Sequence, residues 1–356
     1  MNRIIIDGAN GYVASHFASE LIKNKNQVFA LVRSNGEFSP TMRMKRILDE
    51  INENREDDYK NLQVYNYSLL NKDFSLSEDE LKEIFCETSD FFHFAASLKF
   101  AEKDKKEIFE TNVAGLENAI WLFLKYSKPG SRFFYISTAY SCGNNGHPFL
   151  EKFYPNEDIS AFRNYYEQSK RFGENVLKKY IEEKRLNGYV LRLSQVAGNN
   201  ITGITTTDYG IFDFVKRLHS FSRRHPGETV RISATPESTQ NIIAIDKIVN
   251  YLLTLVTIDK LPTIINLVAR SYIKNDDIIK CICRLLPINI LQVRELNPDS
   301  MNILERIIAA GMSFTGKYSN TNLKFDTTNI DLLNFPRDNE ITPDSLCRMI
   351  EYVIKH

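Results

Sequence analysis

Several things are scarce in this sequence. Glycine makes up 15 of 356 residues and proline 11, and there is one tryptophan. So little glycine excludes collagen-like and low-complexity chains. The five cysteines, Cys86, Cys142, Cys281, Cys283 and Cys347, are odd in number and dispersed. That is not the layout of a disulfide framework, so all five are read as reduced thiols. Cys281-Ile-Cys283 lacks the second Cys or His pair of a zinc site, and no metal is expected. No apolar run approaches the ~18 residues of a membrane span. The opening MNRIIIDGANGY reads as strand and turn, without a signal-peptide layout. The expectation is a cytoplasmic protein. Neither charge is in excess: Lys+Arg and Asp+Glu are both 45. A general nucleic-acid binder needs a basic surplus, so that class is excluded. With 43% hydrophobic residues, an acidic disordered chain is excluded too.

What is present is an alternation. Arg3–Asp7, Val28–Val32, Leu62–Asn66, Phe91–Ala95, Arg132–Ser137 and Tyr189–Leu193 are short apolar runs of buried-strand type, with helix-like stretches such as Ser15–Lys23 between them. Strands interleaved with helices predict an α/β fold, a Rossmann-like doubly wound parallel sheet. After about residue 200 the pattern loosens. Tyr209–His219, Asp246–Val256, Asp276–Leu286, Met301–Ala310 and Pro343–Ile354 read as helices, the last capped by Thr342. The expected division is a nucleotide-binding part with the reacting residues over 1–200 and a smaller, mostly helical substrate-binding part over 201–356. Within the latter, 240–270 is expected to return to the main sheet through the strand-like Ile264–Val268.

Gly8-Ala-Asn-Gly11-Tyr-Val-Ala14 sits between the first strand and the first helix. Two glycines there permit a tight turn, and the helix N-terminus beyond supplies N–H groups to a pyrophosphate. The second strand ends Ala30-Leu-Val-Arg33-Ser34, without the acid that commonly binds the ribose hydroxyls of NAD. A guanidinium suits a 2′-phosphate instead, so NADPH is favoured; Arg43, Lys45 and Arg46 follow nearby.

Tyr166 and Lys170 are four residues apart, so on a helix they share one face. An ammonium beside a phenol lowers its pKa, and such a Tyr can protonate a carbonyl oxygen as hydride arrives at carbon. Thr138 ends a strand at the carboxyl edge of the sheet and supplies a hydroxyl to orient that oxygen, with Ser137 its close competitor. The aromatics Phe212, Phe214 and Phe221 are candidates for an acyl channel, although a packed helix face is the simpler reading of Phe214 and Phe221.

Gly8-x-x-Gly11, His93-Phe-Ala-Ala96, Thr111-Asn-Val-x-Gly115, the Thr138 segment and Tyr166-x-x-x-Lys170 together resemble the extended short-chain dehydrogenase/reductase family, from the first strand to about residue 250. Leu31-Val-Arg33, His93-Phe-Ala-Ala96-Ser-Leu-Lys-Phe100, Leu191-Arg192-Leu-Ser-Gln-Val-Ala-Gly198 and Asn241-Ile-Ile-Ala-Ile-Asp246 are similar to its thioester reductase and fatty acyl-CoA reductase branch. Leu193 and Ala244 stand where that branch has prolines, and Ser68 where an Asp would meet adenine. The resemblance implies Tyr166 as general acid/base, Lys170 as its partner and ribose ligand, and Thr138 as holder of the substrate oxygen. It implies cofactor contacts from Gly8, Asn10, Gly11, Tyr12 and Val13 at the turn, and from Arg33, Arg46 and Leu69. Ala95, Ala96, Ser97 and Asn112 follow, and then Ser137, Tyr166, Lys170, Leu193 and Val196.

The expected activity is NADPH-dependent reduction of a carbonyl, foremost an acyl-CoA or acyl-carrier thioester, to aldehyde or alcohol. The competing readings are an NADP-dependent ketone or aldehyde reductase, a nucleotide-sugar epimerase or dehydratase, and a non-catalytic NADP sensor. By analogy alone, a homodimer through sheet-flanking helices is a further expectation.

Overall fold

Runs such as Arg3–Asp7, whose five residues are all buried, can satisfy their backbones only by pairing on both sides. The computed structural model, which describes residues 2–53, 59–311 and 315–356, pairs them in parallel. In chain order the elements are β1 (Arg3–Asp7), α1 (Tyr12–Lys23), β2 (Gln27–Val32), α2 (Pro40–Ile51), β3 (Leu62–Asn66), α3 (Glu78–Ile84), β4 (Asp90–His93), α4 (Lys105–Phe109), α5 (Gly115–Tyr126), β5 (Arg132–Thr138), α6 (Tyr165–Glu182) and β6 (Gly188–Leu193). Then come β7 (Gln195–Val196), α7 (Ile211–Arg224), β8 (Thr229–Ser233), β9 (Thr239–Gln240), β10 (Ile242–Ile243), α8 (Ile245–Thr257), β11 (Ile264–Leu267), β12 (Ile273–Lys274), α9 (Asn275–Leu285), β13 (Asn289–Val293), α10 (Ile303–Gly311), α11 (Thr328–Leu332) and α12 (Pro343–Lys355).

Seven strands form one parallel sheet in the order β3-β2-β1-β4-β5-β6-β11. Alternate side chains build a core on each face. Ile4, Val28, Phe92 and Phe134 pack with residues of α1 and α8 on one face. Ile5, Phe29, Phe91 and Phe133 pack with residues of α5 and α6 on the other. Rings on neighbouring strands stack, Phe92 on Phe134 at 4.4 Å and Phe91 on Phe133 at 5.3 Å. Such pairs add about 0.5–1.5 kcal/mol beyond burial. The strand order reverses between β1 and β4, so a cleft opens at their carboxyl ends.

A separate apolar core joins α7, α9, α12 and β8. This part is less purely helical than the sequence suggested, because β8 and β13 form a parallel pair and β7, β9, β10 and β12 form shorter ones. The cysteines are not all reduced thiols. Cys281 of α9 and Cys347 of α12 form a disulfide, with Cα atoms 5.6 Å apart. The packing of two helices 66 residues apart in sequence brings them together, which spacing alone does not reveal. Cys86, Cys142 and Cys283 are free thiols. Thr342 caps α12 in a capping box with Ser345. Among the described residues no helix is long and apolar enough to cross a membrane.

Candidate active site

The turn after β1 needs its first glycine. Gly8 has φ +60°, and a Cβ there would lie 2.9 Å from the Ala95 nitrogen. Asp7 ties the same two turns together: its Oδ1 accepts from Ala95 N at 2.9 Å, and its Oδ2 meets His93 Nδ1 at 2.5 Å. Both side chains are fully buried. His93 therefore acts through its ring, on Asp7. α1 then starts at Gly11 with no side-chain cap and no acid in its first turn. Its leading N–H groups and positive end are left open to the cleft, an arrangement that fits a dinucleotide pyrophosphate.

The helix carrying Tyr166 and Lys170 is fixed at its start. Asn164 Oδ1 accepts from Glu167 N at 2.9 Å. Buried Glu167 is paired with Arg163 at 3.0 Å and accepts from the Tyr318 hydroxyl at 2.5 Å. Asn112 lies in a π-helical turn (Glu110–Ala114), of the kind that recurs at functional sites. Its side chain bonds Ser97 N and O and donates to Ser169 Oγ at 2.9 Å, joining the loop after β4 to α6.

Lys170 is buried and donates to Ile136 O at 2.8 Å, with its ammonium 5.9 Å from the Tyr166 ring centroid. Burial pulls it down to about 8, while the charges of Asp7 and Glu174 act upward. Tyr166 is pushed above the ordinary phenol range by burial first and by Glu167 and Tyr209 next. In the protein alone, burial, not Lys170, dominates this phenol and keeps it protonated. Ser137 is committed, donating to buried Glu174 at 2.6 Å. Thr138 Oγ1 donates to Leu193 O at 3.2 Å and accepts from Tyr140 N at 3.2 Å. Of the two hydroxyls, that of Thr138 has the weaker partners.

A cavity of about 690 Å³ runs from the glycine turn past these groups into the carboxy-terminal half. Gly8, Asn10, Gly11, Tyr12, Val13, Arg33 and Leu69 line it on one side, with Ala95 and Ala96. Ser137, Thr138, Tyr166, Lys170, Leu193 and Val196 line the other. Three expected contacts lie off it. Arg46 stacks over the Phe38 ring at 4.6 Å, and Ser97 and Asn112 bond each other behind the wall. Phe214 lines the cavity, whereas Phe212 and Phe221 belong to the core around α7. Residues the sequence did not single out also line it, among them Tyr140, Gln195, Gln240 and Tyr318. Tyr318 reaches Glu167 across 151 residues of chain, a link no local pattern carries.

Solved structures share this fold. The terminal R domain from the myxalamid PKS-NRPS biosynthetic pathway has a TM-score of 0.79 at 17% identity, covering 100% of this chain and 91% of that one. A thiolation-reductase di-domain from an archaeal non-ribosomal peptide synthetase gives 0.76 at 17%, covering 99% and 75%. A UDP-glucuronic acid 4-epimerase from Bacillus cereus, in complex with UDP-glucuronic acid and NAD, gives 0.68 at 16%, covering 99% of each. Among curated proteins, fatty acyl-CoA reductase 1 of Rattus norvegicus is 27% identical over 152 residues. That match takes in 40% of this chain and only 29% of the relative. The human counterpart is 26% identical over the same length. The model of an NAD-binding family described as male sterility protein matches residues 6–252, well over half of the sequence, and the chain belongs to that family.

Proposed function

We propose that the protein is an NADPH-dependent reductase of acyl thioesters, with the cofactor and the reacting groups held by residues 1–200 and the acyl-binding wall supplied by 201–356. The observation that carries this reading is the make-up of the cavity. Its cations, Arg33 and Lys170, come from residues 1–200, and the lining from residues 201–356, with Phe214, Ile232 and Ile279, has no charged side chain among the described residues. A nucleotide sugar would bring its diphosphate close to the reacting carbon and need cations in this part. A thioester puts its acyl chain there, and any phosphate it carries lies a pantetheine arm away from the reacting carbon. The likeness to fatty acyl-CoA reductases and to a thiolation-reductase di-domain supports the same reading.

NADPH, when bound, supplies a hydride to the carbonyl carbon. Tyr166 donates its proton to the carbonyl oxygen. Thr138 orients that oxygen by turning its hydroxyl from Leu193 O. Lys170 would hold the nicotinamide ribose. The resulting hemithioacetal loses its thiol to give the aldehyde, and a second round gives the alcohol. Arg33, exposed on the cavity rim after β2, would pair with the 2′-phosphate.

Two measurements follow. NADPH absorbance is followed with acyl-CoAs, free aldehydes and ketones, and again with NADH. Oxidation with acyl-CoA, free thiol as a product, and a kcat/KM at least about tenfold better with NADPH are expected. Oxidation with ketones alone would remove the thioester reading. The second concerns pH. The free enzyme loses the Lys170 ammonium as pH rises through about 8. Above that point kcat/KM for NADPH should fall about tenfold per pH unit, and Lys170→Arg should carry the limb upward. A profile level to pH about 10 contradicts the role of Lys170.

A further inference from the structure

α6 carries a buried glycine, Gly173, in its interior, where glycine weakens a helix. An aromatic ring takes the space that a side chain would fill. A Cβ at 173 would lie 2.4 Å from the Tyr135 hydroxyl oxygen and 3.0 Å from the ring carbon that bears it. Tyr135 belongs to β5 and is fully buried. Its hydroxyl has no hydrogen-bond partner among the described residues. The ring does have a partner: Lys170 Nζ lies over it, 4.9 Å from its centroid. Gly173 is three residues beyond Lys170, so both sit on one face of α6. The glycine thus admits the ring directly beneath the ammonium.

Lys170 needs such a partner. Its ammonium is buried and donates to Ile136 O. The carboxylates whose charges reach it are engaged elsewhere. Asp7 of β1 holds His93 of β4 and Ala95 N, and Glu174 of α6 holds Arg192, Ser137 and Ser141. The Tyr166 ring is farther from the ammonium than the Tyr135 ring, at 5.9 Å. His93, the register partner of Tyr135, stacks with the same ring at 6.0 Å between centroids. The face of an aromatic ring attracts a cation, most strongly where water is excluded. The geometry points to Tyr135 as a positioning residue: its ring is the floor on which the Lys170 ammonium rests, keeping it charged and in place for the nicotinamide ribose. This rests on the cofactor role of Lys170 and not on the nature of the acyl substrate.

The test is NADPH affinity, read by fluorescence titration of the full chain from about pH 6 to about pH 10. Wild type, Tyr135→Phe and Tyr135→Leu are compared. Wild-type affinity should fall above about pH 8, where Lys170 loses its proton. Tyr135→Phe keeps the ring and should leave that limb in place. Tyr135→Leu should bring the limb down by roughly one pH unit, leaving affinity near pH 6 unchanged and weakening it about fivefold near pH 8. Affinity weakened equally at every pH would mark a merely structural role and overturn the proposal. So would a Tyr135→Phe limb that moves as far as that of Tyr135→Leu. Should Tyr135→Leu fail to fold, fluorinated phenylalanines at position 135 decide. They keep the shape of the ring and withdraw electron density from its face, so the limb should descend with each added fluorine; a limb that stays in place overturns the proposal. A wild-type affinity with no fall up to about pH 10 overturns the role of Lys170 and this inference with it.

Discussion

Tyr166→Phe is expected to lower kcat by about 10²–10⁴-fold, the range lost when a positioned general acid is removed. The ring lines the cavity beside Thr138 and packs edge-on against Phe100 at 5.6 Å. Phenylalanine preserves that packing, so the lost phenol is the only large change. Its proton is available because burial keeps the phenol above the usual range. Lys170 keeps its bond to Ile136 O, so KM for NADPH should change far less than kcat. Steady-state kinetics on both proteins, with near-ultraviolet circular dichroism as the folding control, reads the split. Retention of more than a tenth of the turnover would mean that another group, or water, delivers the proton.

The second large effect is on stability. Arg192 of β6 and Glu174 of α6 form a salt bridge at 2.7 Å, and both side chains are fully buried. Glu174 also accepts from the hydroxyls of Ser137 and Ser141, and Arg192 donates to the Leu150 and Lys152 carbonyls. This cluster fixes the end of β5, from which Thr138 projects. Arg192→Leu leaves a carboxylate buried without its cation, and the free energy of unfolding should fall by about 3–5 kcal/mol. The double variant Arg192→Leu/Glu174→Leu should recover a good part of that loss, because an apolar pair in place of a buried ion pair is often neutral. Urea unfolding of the two variants and the parent gives the comparison. A single-variant loss under about 1 kcal/mol would show that the bridge does not hold this edge of the sheet.

The part of the molecule that can be read from sequence is the part whose pattern is local. Arg3–Asp7 coincides with β1 because a buried parallel strand is written as a short apolar run, and Leu62–Asn66 coincides with β3, the half-buried edge strand. Thr342 before Pro343 announces α12 through its cap. The placement of Tyr166 and Lys170 is legible because one helix carries both, and that of Thr138 because it ends a strand of the parallel sheet. β8 and β13 go unnoticed, since each is short and half-exposed and makes sense only beside the other. The same limit hides the Glu174–Arg192 bridge, the Cys281–Cys347 disulfide and the reach of Tyr318 to Glu167: each joins residues on different elements through packing. Burial is the other blind spot. The expected lowering of the Tyr166 phenol by Lys170 weighed a charge without the desolvation that dominates both groups.

The central claim is hydride transfer to a thioester carbonyl with loss of the thiol. It is tested most directly with NADPH deuterated at the transferred position and an acyl-CoA as the only acceptor. Mass spectrometry should find deuterium on the former carbonyl carbon. Free CoA should appear one per NADPH consumed for an aldehyde product, or one per two for an alcohol. NADPH consumed without release of CoA, or a product with no deuterium at that carbon, would contradict the account.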